Sequence, residues 1–368
     1  MALHTFKYPY TFQLELGGEL SGFQLAYTTH GTMNAEGSNV LWICHALTGS
    51  SDPTDWWDGL VGKGLHYDPK DWFIICANVL GSHYGSTNAL SINSKTGKPY
   101  YRTFPDITIR DNIYAFELLR EELGINRIHT LAGGSLGGQQ AIEWSIINPD
   151  LIENLVLIAT NAVHSPWGIA FNESQRLAIK ADPTWSEERL DAGIEGMKVA
   201  RSIALLSYRN YDTYDFTQAR DSNEQTDNFR AATYQKYQGD KLANRFNAFS
   251  YWSLSRTMDL HNVGRNRPSI IHALAQVKAH TLVVGISSDI LFQPSEQKFL
   301  TKHIPDAEYQ EIDSLYGHDG FLIEYKQLKQ ILTSWYGKRS SQSTADRYAG
   351  TAQSADAQST IYSGRRSA

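Results

Sequence analysis

The hydrophobic positions of the chain fall into short uninterrupted runs that alternate with stretches of helical spacing. Apolar runs occupy residues 39–44, 72–78, 155–159 and 281–286. Continuous apolar runs are typical of parallel strands covered on both faces. Residues 107–124 have helical periodicity and end at a glycine. Because strands and helices alternate, the pattern predicts a mostly parallel, doubly wound α/β sheet. Alternating residues at 6–27, around Gly17 and Gly18, predict a preceding β-hairpin.

This alternation breaks off between residues 165 and 268. The segment is rich in Trp, Tyr, Arg, Asn and Gln at helical spacing and has no buried-strand run. We interpret it as a helical cap, or lid, over the carboxyl edge of the sheet. The sheet resumes at 281–286 and 308–312, with helices predicted at 295–301 and 320–336. The predicted domains are a core over 1–164, the cap over 165–268, the rest of the core over 269–338, and a disordered tail over 339–368.

Composition and charge narrow the class of protein. The chain has 368 residues, of which 41% are hydrophobic and 20% charged, as in ordinary globular proteins. A net charge of −6 gives no electrostatic reason to expect nucleic acid or an anionic membrane as partner. We see no apolar run of about 18 residues and no signal-peptide pattern. The two cysteines, Cys44 and Cys76, lie inside apolar runs, so we expect reduced thiols, a cytoplasmic protein and no metal site.

Residues 128–144, IHTLAGGSLGGQQAIEW, contain the strongest candidate for chemistry. A strand pattern meets a G-x-S-x-G motif and continues as a helix, which is the context of a nucleophile elbow. Glycines let the strand and the helix pass closely at such a turn. The hydroxyl of Ser135 would project at the helix N-terminus, where free N–H groups favour a developing negative charge. We therefore predict that Ser135 is a nucleophile; the alternative is a glycine-rich loop that only turns the chain.

A nucleophilic serine needs a base, and the base needs an orienting carboxylate. In α/β-hydrolase folds the chain order is Ser, Asp or Glu, then His, the last two on loops after late strands. Asp289 follows the strand at 281–286, and His318 follows the strand at 308–312. His303 is the other histidine after Asp289, but its place at a helix end makes it the poorer base. The predicted triad is Ser135, Asp289 and His318.

An oxyanion hole requires two backbone N–H donors near the nucleophile. The residue after the nucleophile supplies one, and the loop after an early strand supplies the other. These rules select Leu136 and the HALTGS loop after the strand at 39–44, within which we choose Leu47. The alternative for HALTGS is an ordinary strand-to-helix turn.

Segments far from the elbow add a family resemblance. HALTGSS, WWDGLVGKG, FPDITIRD, GGSLGGQQAIEW, SYWSLSRTMDLHN and GHDGFL resemble, in order, motifs of the homoserine O-acetyltransferase family, which has the α/β-hydrolase fold. The resemblance spans roughly residues 6–336. It implies transfer of acetyl from acetyl-CoA to the hydroxyl of L-homoserine, in methionine biosynthesis, through an acyl-Ser135 intermediate. It implies acetyl-CoA as co-substrate and no permanently bound cofactor or metal.

The same resemblance assigns substrate-binding residues. It implies that Arg201 and Tyr208 hold the homoserine carboxylate and that Asp319 receives the ammonium group. An arginine suits a carboxylate, and a zwitterion needs an anion for its other end. Judged without the family, Arg201 would be a solvated helix residue and Asp319 a loop residue. Members of the family also lead us to expect a homodimer associated through the cap.

The sequence departs from the family in one loop and leaves other functions open. The family loop usually reads GGCxGSTGPSSIN, whereas here Ser82, His83, Asn88 and Ala89 are unusual. If the loop borders the acyl or CoA site, acyl preference would change. The alternatives are a homoserine O-succinyltransferase, a serine O-acetyltransferase, a plain esterase with water as acceptor, and a non-catalytic binding protein. The last has no reason to keep a complete triad.

Overall fold

The computed structural model of the protein describes residues 2–338, so the predicted tail over 339–368 lies outside the described residues. Its central element is an eight-stranded sheet in the order β1-β2-β4-β3-β7-β8-β9-β10. The strands are β1 (Ala2–Gln13), β2 (Glu19–His30), β3 (Val40–Cys44), β4 (Phe73–Ala77), β5 (Ile92–Asn93), β6 (Lys98–Pro99), β7 (Ile128–Gly134), β8 (Ile152–Ile158), β9 (His280–Ile286) and β10 (Ala307–Ile312). β1 and β2 form the predicted hairpin, and β2 pairs with β4 antiparallel; every other pair of this sheet is parallel. β5 and β6 form a separate two-stranded antiparallel sheet. The predicted fold class is confirmed.

Helices connect the strands, form the inserted segment and end the described chain. They are α1 (Pro53–Trp56), α2 (Ile109–Glu122), α3 (Leu136–Ile147), α4 (Pro166–Ala181), α5 (Ile194–Tyr208), α6 (Tyr211–Thr217), α7 (Arg230–Ala243), α8 (Ala248–Asp259), α9 (Ile270–Leu274), α10 (Pro294–His303), α11 (Gly320–Ile323) and α12 (residues 325–338). Residues 165–268 contain α4 to α8 and no strand of the sheet. No helix of residues 2–338 is both long and apolar enough to cross a membrane.

The helix predicted over 320–336 is wrong in one respect. The structure ends α11 at Ile323, and Glu324 has non-helical backbone angles of φ −84° and ψ 41°. The Ser314 hydroxyl donates a hydrogen bond to the Glu324 carboxylate at 2.9 Å, which holds that side chain against the preceding loop. Helical periodicity in the sequence cannot show such a contact, because it carries no information about a partner ten residues earlier.

The described residues up to Tyr325 form one compact unit, which contains the sheet and the inserted helices, and a second unit begins at Lys326. The boundaries of core and cap at 164 and 268 stay a prediction.

Local sequence explains why the helices beside the elbow form and where they pack. The Thr108 hydroxyl accepts the Asp111 N–H, and the Asp111 carboxylate accepts the Thr108 N–H, so α2 starts with a complete capping box. Phe116 of α2 and Trp144 of α3 are fully buried against Trp42 of β3, with the two tryptophan rings 4.8 Å apart. Burial of large aromatic rings contributes strongly to core stability. This packing fixes α3, and with it the turn into α3, against the sheet.

Buried ion pairs attach the inserted helices to the core. The Glu143 carboxylate of α3 accepts hydrogen bonds from Arg110 of α2 and from Arg267 at the end of the inserted segment, both at 2.7 Å. Within the insertion, the Asp259 carboxylate of α8 pairs with Arg176 of α4. Buried charges are tolerated only when paired in this way. The Glu143 contact therefore attaches the end of the insertion to α3, and the Asp259 contact joins two helices within the insertion.

Candidate active site

Ser135 lies at the sharp turn between β7 and α3. Its backbone is in the left-handed region, with φ 57° and ψ −125°, which is unfavourable for a residue with a side chain. The Ser135 backbone N–H donates to the backbone oxygen of Ile158 at 3.0 Å, and the Thr160 hydroxyl donates to the backbone oxygen of Ser135 at 2.9 Å. These contacts from β8 and the residues after it hold the strained turn in place, and only 5% of Ser135 is exposed.

Glycines beside Ser135 permit the close approach that the sequence pattern predicted. A Cβ at Gly133 would overlap the backbone of Gly137, and a Cβ at Gly137 would overlap the backbone oxygen of Cys44. The first overlap would force β7 and α3 apart, and the second would force α3 away from the end of β3. The GGSLGG segment thus has the geometry of a nucleophile elbow.

Asp289 and His318 meet at the carboxyl edge of the same sheet. Asp289 follows β9, and His318 lies in a short 3₁₀ turn after β10. The Nδ1 of His318 is 2.6 Å from Oδ2 of Asp289. The other carboxylate oxygen accepts the backbone N–H groups of Leu291 and Phe292 at 2.8 and 2.9 Å. Two backbone N–H groups therefore fix the carboxylate, and the carboxylate in turn fixes the imidazole.

The environment of His318 favours its protonated form. Burial opposes the imidazolium, but the charge and hydrogen bond of Asp289, helped by Asp319 and Glu296, outweigh burial and raise the pKa of His318. The Phe292 ring stacks on the imidazole with centroids 5.0 Å apart. The Nε2 atom of His318 is buried without a hydrogen-bond partner among residues 2–338. That nitrogen is free to exchange a proton with a group in the cavity.

A cavity of about 190 Å³ brings most of the predicted residues together. Its lining includes Ser135 and His318, together with Leu47, Arg201, Tyr208 and Asp319. Asp289 does not line the cavity and lies behind His318. Leu136 is also outside the lining, although its backbone follows Ser135 and begins α3, where N–H groups have no partner within the helix.

The loop that carries Leu47 is held in a fixed shape. A turn closes it, because Gly49 N–H donates to the Ala46 oxygen at 2.9 Å. Gln140 of α3 donates to the His45 oxygen at 3.0 Å. The His45 ring bridges Ala46 and Val79 through Nδ1 and Nε2, at 2.8 and 3.1 Å. Burial lowers the pKa of His45 to about 4, so this ring is neutral at physiological pH. Sequence reasoning missed His45 and Gln140.

The two charged residues of the cavity, Arg201 and Asp319, differ in how far their hydrogen-bonding groups are already used. Arg201 has its guanidinium carbon 5.4 Å from the centre of the Tyr208 ring, and its Nε is buried without a hydrogen-bond partner among residues 2–338. Asp319 instead forms an ion pair with Arg209, 3.1 Å between Nη2 and Oδ2. A half-buried cation with an unused Nε donor therefore lines the same cavity as a carboxylate that already has one partner. Sequence reasoning missed Arg209, which has no distinguishing signal beyond its place after Tyr208.

The unusual loop, residues 81–93, departs from the family at Ser82, His83, Asn88 and Ala89, and none of these four residues lines this cavity. The Asn88 amide donates to the oxygens of Ser82 and Ser86 at 3.1 and 2.8 Å, which stabilises the loop internally. Ala89 borders a separate cavity with Tyr101 and Trp185, among others. Sequence reasoning also missed Trp56 and Arg245 in the lining of the first cavity. The WWDGL motif could have pointed to Trp56, whereas no signal marks Arg245.

No group of three or more His, Cys, Asp or Glu side chains in the described part of the chain could hold a metal ion.

An eight-stranded sheet with a serine elbow, and with Asp and His after its late strands, defines an α/β-hydrolase-fold protein. Residues 39–325 match the family described as alpha/beta hydrolase fold. The chain is 49% identical over 323 residues to homoserine O-acetyltransferase of Cyclobacterium marinum, covering 88% of this chain and 92% of that protein. Within that fold, the chain belongs to the homoserine O-acetyltransferase family, which confirms the resemblance.

Solved structures agree with this assignment. The X-ray structure of homoserine O-acetyltransferase from Bacillus anthracis superimposes with a TM-score of 0.83 at 25% identity, covering 91% of this chain and 97% of that chain. The acetyl esterase MekB superimposes with a TM-score of 0.80 at 24% identity, covering 91% and 96%. The second likeness shows the fold alone.

Proposed function

We propose that this enzyme transfers the acetyl group of acetyl-CoA to the hydroxyl of L-homoserine, in methionine biosynthesis. The observation that carries the proposal is one cavity that joins Ser135 and His318 to a cation, Arg201, and a carboxylate, Asp319. A zwitterionic acceptor fits such a pair, since the guanidinium binds its carboxylate and the aspartate binds its ammonium group. The names of the relatives at 40–49% identity support the same reaction.

The first half-reaction loads the enzyme. His318 Nε2 takes the proton of the Ser135 hydroxyl while the serine oxygen bonds to the thioester carbon. The N–H groups of Leu47 and Leu136 stabilise the tetrahedral oxyanion. The carbon–sulfur bond then breaks, and His318 returns the proton to the CoA thiolate. Acetyl-Ser135 and free CoA result.

The second half-reaction transfers the acetyl group to the acceptor. His318 takes the proton of the homoserine hydroxyl, whose oxygen bonds to the acyl carbon of acetyl-Ser135. The bond to the Ser135 oxygen breaks, and that oxygen recovers the proton from His318. Asp289 keeps the imidazole in the tautomer with a hydrogen on Nδ1. O-acetylhomoserine leaves, and the enzyme is regenerated.

Transfer must outrun hydrolysis of the acyl-enzyme. Ser135 and His318 are only 5% and 3% exposed, so few waters reach the acyl group. Arg201, Tyr208 and Asp319 would hold the acceptor hydroxyl in place, and orientation of this kind raises the rate of attack strongly. A plain esterase with the same triad remains the second candidate, since the fold also occurs in an acetyl esterase.

The proposal extends to partners and place of action. The enzyme would work in the cytoplasm as a homodimer associated through residues 165–268, with no metal and no permanently bound cofactor. More than half of the large hydrophobic side chains exposed on residues 2–338 lie in this segment, which supports an interface there. Acetyl-CoA would enter as a co-substrate.

A thiol-release assay tests donor, acceptor and reaction class together. Acetyl-CoA and succinyl-CoA are each incubated with homoserine, with serine and with no acceptor. We expect rapid release of CoA from acetyl-CoA with homoserine and slow release in the other five reactions. Equal release with and without acceptor would instead show an esterase. Preference for succinyl-CoA or for serine would identify one of the other two transferases.

A further inference from the structure

Arg245 reaches from the inserted segment to the loop that carries Leu47. Its Nη1 donates to the backbone oxygen of Thr48 at 2.8 Å, and its Nη2 lies 3.4 Å from the Thr48 hydroxyl. Nη1 also donates to the Tyr84 hydroxyl. One guanidinium therefore joins both polar groups of Thr48 to a residue of the unusual loop. Only arginine has a planar fork of donors that makes such a set of bonds.

The base of the Arg245 side chain is firmly held. The next residue, Phe246, is 4% exposed and packs on the rings of His83 and Tyr84, with centroids 5.8 Å away in each case. Asn247 caps α8 through Ser250 N–H at 2.8 Å, and its amide lies 2.8 Å from the His83 ring. Although Arg245 itself is exposed, its backbone starts from a buried anchor. The guanidinium is thus directed at the loop by its neighbours.

Leu47 lies between two points where its loop is fastened. On one side, Gln140 binds the His45 oxygen from α3, the helix that also carries Leu136. On the other side, Arg245 binds Thr48 from the insertion. The proposed oxyanion donor is therefore located by one contact from the elbow helix and one from the insertion. The loop also has its Ala46–Gly49 turn, and Trp56 donates to the Ser50 oxygen at 3.0 Å, but among the described residues Arg245 alone binds the Thr48 oxygen. Loss of that contact therefore lets the Leu47 N–H shift relative to Leu136 without unfolding the loop.

We propose that Arg245 is a positioning residue that fixes the Leu47 N–H for oxyanion stabilisation. The inference rests on the proposed function only through the oxyanion role of Leu47. It makes a specific demand on kinetics, because a tetrahedral oxyanion forms in both half-reactions. Loss of the contact must slow acylation and deacylation alike, whichever acyl donor is used.

The test compares Arg245→Gln and Arg245→Lys with Arg256→Gln. Arg256 is a matched control: it also reaches from the insertion to the core, with Nη2 3.1 Å from Asp106, but it does not touch the Leu47 loop. Acylation is measured by stopped flow with p-nitrophenyl acetate, in which the Ser135 oxygen bonds to the acyl carbon and p-nitrophenolate leaves. Acylation by acetyl-CoA and deacylation by homoserine are measured in parallel, with Tm recorded for each variant.

We expect both Arg245 variants to slow all three steps about 10- to 100-fold, somewhat less than deletion of an oxyanion donor. The KM for homoserine should stay within about twofold, and Arg256→Gln should match the wild type. The lysine variant should be as slow as the glutamine variant, because it keeps the charge but not the fork.

Three outcomes would overturn the proposal. Full activity of Arg245→Lys would show that charge alone is needed. A raised KM for acetyl-CoA with normal acylation by p-nitrophenyl acetate would show that Arg245 binds CoA. Slowing in proportion to a loss of folded protein would show a structural role only.

Two milder variants keep the proposal testable if the Arg245 variants do not fold. Tyr84→Phe and Thr48→Val each remove one acceptor of the guanidinium, and each should slow both half-reactions several-fold; normal rates in both would also refute the proposal. The p-nitrophenyl acetate arm needs neither CoA nor homoserine. If the wild type fails to acetylate homoserine but still acylates Ser135, the proposed function fails while the inference on Arg245 is still tested.

Discussion

Ser135 has an unfavourable backbone conformation, and its place in the cavity gives a chemical reason for that conformation. The positive φ of 57° lifts the hydroxyl above the end of β7, into the cavity that His318 also lines. A serine that served only to turn the chain would be expected to be a glycine at this φ. Strain held in place by hydrogen bonds is common where a side chain must be presented for reaction.

We predict that Ser135→Ala abolishes the acyl-enzyme and lowers turnover by about 10⁴-fold or more. Mass spectrometry after mixing with acetyl-CoA should show an acetyl adduct on the wild type and none on the variant. Ser145→Ala is the control: this serine is also buried on α3, but its hydroxyl only donates to the Ala141 oxygen. An acetyl adduct of the same yield on the alanine variant would refute the assignment, because the acetyl group would then be on another residue.

The pH dependence of acylation should report on the pair of His318 and Asp289. His318 must be neutral to accept a proton, so the rate should fall as pH drops through the pKa of His318. That pKa is raised above its ordinary value of 6.5 by the Asp289 charge, which outweighs burial. Asp289→Asn should therefore move the acid limb of kcat/KM to lower pH, while the maximal rate falls about 10⁴-fold. A limb that stays in place would mean that another group controls the profile.

Simple sequence rules select Asp289 and His318, which the structure places 2.6 Å apart. Asp289 and His318 follow strands, and the carboxyl ends of parallel strands meet at one edge of a sheet. The partners of Arg209 and Arg245 could not be predicted in this way. No period or motif links Arg245 to Thr48, which lies 197 residues earlier. Such contacts depend on how the insertion lies on the core, which the sequence pattern does not describe.

At the scale of elements, the elbow is a junction where β3, β7 and α3 come close together. We predict that Gly137→Ala destabilises the protein by about 3 kcal/mol, because the added Cβ overlaps the Cys44 oxygen and neither backbone can yield. Urea unfolding measures the change. Gly37→Ala is the control, since a Cβ there meets nothing within 4 Å and only the φ of 62° is unfavourable. An equal loss of unfolding free energy in both variants would show that the approach of Gly137 to the Cys44 oxygen is not tight.

The sequence pattern predicted the strands whose buried side chains are apolar, and it predicted the helices of the insertion only incompletely. The runs that became β3, β4 and β9 were recognisable because both faces of these strands are buried. In the insertion the pattern indicated helices without their bounds. In the insertion, Arg176 of α4 and Asp259 of α8 are buried against each other as an ion pair. Because some charged residues are buried there, the polar positions in the sequence do not identify the exposed face of each helix.

At the scale of the whole molecule, exposed apolar side chains on α5 indicate where a second copy would bind. Val199 and Leu206 are 54% and 52% exposed and lie seven residues apart, on one face of the helix. We predict that the double variant Val199→Glu, Leu206→Glu is a monomer in light scattering coupled to gel filtration. Ile92→Glu, 61% exposed outside the insertion, should leave the dimer intact. A wild type that is monomeric at micromolar concentration would refute the expected dimer.

The fold class and the presence of an insertion were predictable from the alternation of patterns and its interruption. The attachment of that insertion was not. Glu143 joins Arg110 to Arg267 across more than 120 residues, and each residue alone looks like an ordinary surface charge in the sequence. Buried ion pairs of this kind become visible only when the elements have been placed in space.

The order of strands has a consequence for how the protein is made. β8 pairs with β9 although residues 159–279 separate them, and β10 adds to β9. A ribosome therefore makes Ser135, its elbow and the whole insertion before it makes Asp289 or His318. On the proposed mechanism, a nascent chain carries a serine that has no base, and acylation requires that the last two strands have docked. The order of synthesis would then keep Ser135 from reacting with cellular thioesters until the pocket is complete.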